Sequence, residues 1–205
     1  SAAAALMEVN PFDQPDVEQA KRLARESLKI AAGEDTLPVK GAAYGLVVSG
    51  RGMYPHFNSA PEPVLKDFFT AVKKGDYAAI LAYLDHTDKE IAETVSGLRT
   101  HLRDALGVAT CLCWGPRYLH STGQLHKGGP ASGVFIMLAS NTSVGDLKIP
   151  GMDYSFRELE FAQAFGDFRA LETKKRRVVF FNLNEPSPSA LKEVASVIRL
   201  SSIKT

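Results

Sequence analysis

The sequence predicts an α/β domain in which a parallel sheet lies between two layers of helices, a three-layer sandwich. Short apolar runs rich in β-branched residues alternate along most of the chain with amphipathic helical stripes. Turn-forming residues separate the runs from the stripes. Alternating strands and helices form units whose strands are parallel and whose helices cover both faces of the sheet.

Four mostly apolar runs are the predicted strands of that sheet. They are Tyr77–Leu84, Val108–Trp114, Val134–Ala139 and Arg177–Leu183. Their near-continuous apolar character is typical of strands that are covered on both faces. One more strand is predicted at Tyr44–Ser49, inside a stretch rich in glycine and proline.

The helices are predicted from apolar spacing and from capping residues. Thr87–Leu106 is the clearest, with a stripe formed by Ile91, Val95, Leu98, Leu102 and Leu106. The others are a helix over Val17–Ala31, a short helix that contains Val64 and ends near Gly75, a helix over Phe156–Leu171 and a last helix from Pro188. Ser155 with Glu158 forms a capping box before the third of these, and Ser187 caps the last.

These elements divide the chain into three parts. Residues 1–32 form a helical arm, 33–63 a linker and 64–205 the α/β domain. Ser1–Val9 has the composition of a helix whose beginning is missing, and it runs directly into a motif. We therefore expect the chain to be the last part of a longer protein, and the arm to be only loosely tied to the domain.

Composition excludes several classes of partner and site. The 205 residues carry a net charge of +1 with scattered basic residues, so we expect neither nucleic acid nor a membrane surface as partner. Cys111 and Cys113 point to the same face of a strand, where a disulfide between them would be strained. No histidine or cysteine is expected to complete a zinc set with them. Two buried reduced thiols, a cytoplasmic location and no metal are the prediction.

The stretch Gly115–Pro130, GPRYLHSTGQLHKGGP, is the predicted functional loop, called the histidine loop below. It offers hydroxyls, amides, cations and unhindered backbone N–H groups, which suit a phosphorylated ligand with many hydroxyls. It comes after the carboxyl end of Val108–Trp114, where ligands of parallel sheets bind. Lys127 does not have the spacing of a nucleotide-binding P-loop.

Three stretches resemble one enzyme family. LHSTGQLHKGGP resembles the histidine loop of glucose-6-phosphate isomerases, in the form found in bifunctional transaldolase/glucose-6-phosphate isomerase proteins. NPFDQPDVEQAK resembles the arm motif of that family, and IPGMDYSFRELEFAQAFGDFRAL is similar to the segment after the loop in the bifunctional form. The resemblance implies a sugar-isomerase (SIS) domain, a Rossmann-like fold that binds no nucleotide.

The resemblance also implies roles for particular residues. His120 and the arm's Lys21 would be catalytic, serving the opening of the sugar ring, while Gln14 would lie near the phosphate. Ser121, Thr122 and Gln124 would bind substrate. His126 and Lys127 are expected to be surface groups. The implied partners are glucose 6-phosphate, fructose 6-phosphate and further copies of the chain, and no cofactor is implied.

One departure from the family pattern bears on activity. The base that moves a proton between C2 and C1 is a glutamate before the histidine, and the interval RDALGVATCLCWGP contains none. Glu158 is committed to its cap, and Glu160 is expected to lie away from the loop. We therefore expect the chain alone to lack appreciable isomerase activity. The alternative is a non-catalytic module that binds sugar phosphate or mediates dimerisation.

Overall fold

The computed structural model describes residues 2–8, 10, 18, 22–26, 28, 44–48, 52–54, 62–142 and 146–203. Its helices are α1 (Ala2–Leu6), α2 (Glu62–Thr70), α3 (Lys89–Leu106), α4 (Gly123–Gly128), α5 (Phe156–Thr173) and α6 (Pro188–Ser202). Its strands are β1 (Tyr44–Val48), β2 (Gly52–Tyr54), β3 (Tyr77–Ala82), β4 (Ala109–Trp114), β5 (Gly133–Ser140) and β6 (Arg177–Leu183). A turn of 3₁₀ helix spans Arg117–His120.

The described strands form one sheet in the order β2-β1-β6-β5-β3-β4. The strands β3 to β6 pair in parallel, with Ile80 of β3 opposite Leu112 of β4 and Ile136 of β5. The predicted parallel sheet of four strands is therefore confirmed. The next strand after β3 along the chain, β4, lies on one side of β3, and the strand after that, β5, lies on its other side. The loops that follow β3 and β4 therefore run in opposite directions at the carboxyl edge of the sheet.

The predicted strand at Tyr44–Ser49 is present as β1, and it belongs to the same sheet. It runs antiparallel to β6, with Leu46 opposite Phe181, and β2 pairs with it in turn. The segment 33–63, which we expected to be a linker, thus contributes two strands as well as connecting arm and domain. A partner for β6 keeps the edge of that apolar strand from being exposed.

Helices cover both faces of the sheet. One face carries Val134, Ile136 and Leu138 of β5 and packs against α2, α3 and α6. The opposite face carries Phe135 and Met137 of the same strand and packs against α5 and the histidine loop. Successive side chains of a strand point to opposite faces, so a strand that is covered on both faces has apolar residues at every position. Helices on both faces of the sheet form the predicted three-layer α/β sandwich.

Capping side chains fix the helix ends that border the site. The Asp88 carboxylate accepts hydrogen bonds from the backbone N–H groups of Glu90, at 2.9 Å, and of Ile91, at 3.1 Å. The helix α3 therefore begins two residues later than predicted. The predicted capping box before α5 is confirmed, because Glu158 N–H donates to Ser155 Oγ and Ser155 N–H donates to the Glu158 carboxylate.

One described segment of the arm, residues 22–26, contacts the domain, and the expectation that the arm as a whole is only loosely tied stays a prediction. Residues 22–26 are helical, and Ala24 is 9% exposed. A Cβ added to Gly166 of α5 would lie 2.5 Å from the backbone N of Ala24 and 2.7 Å from its Cα. The missing side chain at Gly166 is what lets the two helices approach so closely. The catalytic Lys21 and the substrate-binding Gln14 of the prediction lie outside the described residues.

The close contact at Gly166 predicts the sign of the stability change when this glycine is replaced by alanine. Gly166→Ala should destabilise the chain by about 1–3 kcal/mol or release the arm, because the new methyl group meets backbone atoms that cannot move aside. Its matched control is Gly97→Ala in α3, where an added Cβ would meet only the Arg199 guanidinium at 3.5 Å. That control should be stabilised by roughly 0.5–1 kcal/mol, the helix preference of alanine over glycine.

Urea unfolding and limited proteolysis of the arm measure both effects. If Gly166→Ala is stabilised like Gly97→Ala and the arm is cleaved no faster, then Ala24 does not rest on α5.

A second prediction concerns Asp76, which ties the start of β3 to β6. Its carboxylate accepts from Arg177 Nη1 at 2.8 Å and from the backbone N–H of Lys73 at 2.9 Å. The Arg177 hydrogen bond lowers the pKa of Asp76. The stabilisation is thus complete above the unfolded pKa of ~3.9 and is lost as the pH falls through the lower folded value. Asp76→Asn should cost ~2 kcal/mol at neutral pH.

Urea unfolding from neutral pH down to pH ~2 tests this prediction, because the wild-type advantage should shrink below pH ~4. An advantage of the same size at every pH would show that the Asp76 charge does not contribute.

Candidate functional site

The histidine loop connects the edge strand β4 to β5 along the face covered by α5. It leaves β4 through a cis peptide bond between Gly115 and Pro116, and Gly115 N–H donates to Ala82 O at 2.8 Å. The 3₁₀ turn and α4 come next, and the side chains of Tyr118 and Leu119 join the apolar cluster on that face. The loop is therefore part of the packed domain and is held by its own apolar residues.

His126 and Lys127 are buried, so the expectation that they are surface groups is wrong. They are 2% and 0% exposed. The Lys127 ammonium forms an ion pair with the Asp167 carboxylate of α5, and the Tyr118 hydroxyl donates to the other oxygen of that carboxylate. A buried lysine is tolerated only with such a partner, and Asp167 comes forty residues later in the chain.

Arg176 holds the far end of the loop. Its guanidinium donates to the backbone oxygen of Lys127, at 2.5 Å from Nη2 and 3.2 Å from Nε, and to that of Gly129 at 2.6 Å. These bonds satisfy carbonyl groups at the C-terminal end of α4, for which the helix itself provides no N–H donor. Arg176 and Asp167 therefore both fasten the C-terminal end of α4, and Asp167 also holds the preceding 3₁₀ turn through Tyr118.

The predicted site residues of the loop differ in exposure. His120 and Ser121 are exposed, and Thr122 and Gln124 are half-buried. The Ser121 hydroxyl donates to Tyr118 O at 3.1 Å, which shapes the turn. These four residues are not among those that line the cleft described next. Their catalytic and substrate-binding roles stay predictions.

A cleft of about 520 Å³ opens at the carboxyl ends of the strands. Its walls come from the residues after β3, the start of the histidine loop, the beginnings of α3 and α5, and the loop after β6. The lining residues that carry chemistry are Asp85, His86, Arg117, Arg157 and Glu160. The volume is within the range of small-molecule sites, and the position is where parallel sheets bind ligands.

Glu160 lines this cleft together with Gly115–Arg117, so the expectation that it lies away from the loop is wrong. Burial raises the pKa of its half-buried carboxyl, the Arg157 charge opposes that shift, and the Asp85 charge adds to it. A carboxyl group with a raised pKa in a cleft is suited to accept a proton near neutral pH. The pKa of Asp85 is shifted in the opposite direction, because the Thr87 hydroxyl and N–H donate to its carboxylate and lower its pKa.

A second group of chemically active side chains lies beneath the histidine loop. Cys113 Sγ is 3.9 Å from Cys111 Sγ and 3.9 Å from His126 Nε2. His126 Nδ1 is 2.9 Å from the Tyr77 hydroxyl, and Thr122 Oγ1 is 3.9 Å from Cys113 Sγ. The expectation that no histidine joins the two cysteines is therefore wrong, because α4 brings His126 to them.

The surroundings of the two thiols favour the thiolate form of only one of them. The hydrogen bond between the two thiols is the largest cause of the low pKa of Cys113, and with the contacts of His126 and Thr122 it lowers that pKa to about 5, against the effect of burial. The same bond raises the pKa of Cys111 far above that of an ordinary thiol. Burial raises the pKa of Tyr77 to about 12, so this hydroxyl keeps its proton. Cys113 is thus the sulfur that ionises first.

Sequence reasoning missed Glu160 and the contact between His126 and the cysteines. The first could have been found, because the Ser155 cap fixes the start of α5 at the carboxyl edge of the sheet and Glu160 comes within the next two turns. The second had a weaker signal, a Cys-x-Cys strand and then a loop with two histidines. Nothing in that spacing says which histidine turns inward.

Comparison with known proteins shows the fold alone. No protein-family model and no curated protein matches the chain. Among solved structures, the crystal structure of hypothetical protein TT0462 from Thermus thermophilus superposes with a TM-score of 0.57 at 17% sequence identity. The match covers 69% of this chain but only 37% of that one. It supports the Rossmann-like three-layer architecture. None of the helices in the described part of the chain is long and apolar enough to cross a membrane.

Proposed function

We propose that this chain forms part of an aldose–ketose isomerase site for glucose 6-phosphate and fructose 6-phosphate, and that Glu160 is the base. The observation that carries the proposal is the half-buried Glu160 carboxyl, whose raised pKa and position in the cleft suit proton transfer. The resemblance of the neighbouring histidine loop to that of glucose-6-phosphate isomerases supplies the substrate class.

The cleft residues divide the chemistry between them. The Glu160 carboxylate takes the proton from C2 of the open-chain aldose and returns it to C1, while the proton of the C2 hydroxyl passes to the C1 oxygen, which gives the ketose. The negative charge that develops on the sugar oxygens is stabilised by the guanidinium groups of Arg117 and Arg157. The resemblance, and not the lining of the cleft, assigns opening of the ring to His120 and to Lys21 of the arm. The free cysteines fit a reducing compartment such as the cytoplasm.

Hydrogen exchange on the substrate tests the proposal without requiring complete turnover. The purified chain is incubated with fructose 6-phosphate in deuterium oxide, and deuterium at C1 is measured by nuclear magnetic resonance. We expect exchange above the rate with heat-denatured protein, and none with unphosphorylated fructose at the same concentration. Absence of both exchange and sugar-phosphate binding would contradict the proposal.

The alternative is a module that binds or dimerises without chemistry, and one surface favours it. Leu147, Met152 and Phe156 are 71%, 52% and 57% exposed and lie in the turn before α5 and at its first residue, where Phe156 N–H donates to Leu147 O at 3.0 Å. Such a patch suits contact with a second copy of the chain. Phe156→Ser should then shift sedimentation from dimer to monomer. Binding of sugar phosphate without exchange would favour this alternative over the isomerase.

A further inference from the structure

The strand β4 places two sulfur atoms on one face at the edge of the sheet. Cys111 and Cys113 are two residues apart on this strand, so their side chains project in the same direction. Cys113 is 9% exposed and Cys111 is half-buried, which leaves the pair within reach of solvent ions. Both thiols are free.

The helix α4 completes the set with a nitrogen atom. The donor atoms of Cys111, Cys113 and His126 all lie within 4.8 Å of one another, and two of the three separations are 3.9 Å. Bond lengths of about 2.3 Å from Zn²⁺ to sulfur and about 2.0–2.1 Å to nitrogen put neighbouring donors of a tetrahedron roughly 3.5–3.8 Å apart. The arrangement needs movements of only a few tenths of an ångström along those two edges.

The surroundings of His126 favour a metal ligand. Its Nε2 faces the sulfur atoms, while its Nδ1 lies 2.9 Å from the Tyr77 hydroxyl. When Nε2 binds a metal, Nδ1 carries the proton and donates it to the Tyr77 oxygen, an orienting bond that metal-binding histidines commonly make. The ring is also held in place by an edge-to-face contact with Phe135, at 5.2 Å between centroids.

We propose that Cys111, Cys113 and His126 bind one Zn²⁺ ion. Two thiolates balance the charge of the ion, and two sulfurs with an imidazole form a donor set that selects zinc over magnesium or calcium. Water or the Thr122 hydroxyl, 3.9 Å from Cys113 Sγ, takes the fourth position. The ion joins the edge strand β4 to α4 and so braces the histidine loop.

Cobalt and zinc titrations of the reduced, chelator-treated chain test the proposal. Co²⁺ should bind with one equivalent and give thiolate-to-cobalt charge-transfer absorption together with the strong visible bands of a tetrahedral site. Zn²⁺ should displace it and should raise the midpoint of thermal unfolding. Octahedral cobalt spectra without charge transfer, or no saturable binding under reducing conditions, would overturn the proposal.

Variants identify the ligands. Cys111→Ser changes a half-buried residue, so it should fold, and it should weaken zinc binding by more than about 100-fold because it removes a ligand. Tyr77→Phe keeps all three donors and should weaken binding by about 10–100-fold through loss of the orienting bond. His120→Gln, an exposed histidine of the same loop, should bind zinc as the wild type does. Wild-type zinc affinity in Cys111→Ser, or equal losses in His120→Gln, would overturn the assignment.

Discussion

Replacing Glu160 by glutamine should lower deuterium exchange on fructose 6-phosphate by about 100–10,000-fold, the usual contribution of a positioned base. Glutamine has nearly the same shape but cannot accept the substrate proton. The variant should also fold at least as well as the wild type. Burial raises the pKa of Glu160, so its charged form is disfavoured in the folded chain, and a neutral side chain removes that cost at neutral pH.

The pH dependence of the exchange rate is an independent test of the role of Glu160. Exchange requires the ionised carboxylate, so its rate should rise with pH through a value above the ~4.3 of an ordinary glutamate. Glu193→Gln is the matched control, because Glu193 is an exposed glutamate on α6 outside the cleft. Equal exchange in Glu160→Gln and Glu193→Gln would contradict the assigned role. A loss in the first variant alone, with circular dichroism unchanged, would support it.

Breaking the buried ion pair should have the largest effect on stability. Asp167→Ala leaves the Lys127 ammonium, 0% exposed, without a counter-charge in the protein interior, with the Gly123 backbone oxygen at 3.5 Å as its remaining acceptor. The Tyr118 hydroxyl loses its acceptor at the same time. Removal of one partner of a buried pair costs about 3–5 kcal/mol in unfolding free energy, which is a large part of the stability of a domain.

The test includes a control and a rescue. Lys192→Ala breaks an exposed pair with Glu90 and should change the unfolding free energy by less than about 1 kcal/mol. The double variant Lys127→Met with Asp167→Leu removes both charges and should recover most of the loss, because apolar side chains of similar volume replace buried pairs well. If Asp167→Ala unfolds at the wild-type urea concentration, the pair is not a support of the histidine loop.

Local pattern predicted much of the fold. The stripe of α3, the Ser155 capping box and the four parallel strands could all be predicted because each depends on residues close together in sequence. The predicted start of α3 lies two residues before the observed one, since Thr87 bonds to Asp85 and the cap is Asp88. Periodicity also identified β1 as a strand but could not say that it pairs with β6.

The site was harder to predict because it depends on distant contacts. Helical spacing gives the direction of Glu160 about its own helix but not the element that it faces across the cleft. The sequence predicts a surface position for Lys127, because its partner Asp167 belongs to another helix and is not evident from local spacing. The contact between His126 and Cys113 could not be predicted, because it depends on how α4 packs against β4.

The anchoring of the histidine loop also bears on its motion. Arg176 binds the carbonyls of Lys127 and Gly129, and Asp167 binds the Lys127 side chain from α5. A segment fastened in this way cannot open without loosening the helix to which it is fastened, so α4 and α5 should unfold together as one cooperative unit. Amide protons of the short helix α4 would then exchange with solvent as slowly as those of α5. A ligand in the cleft would slow the exchange of both.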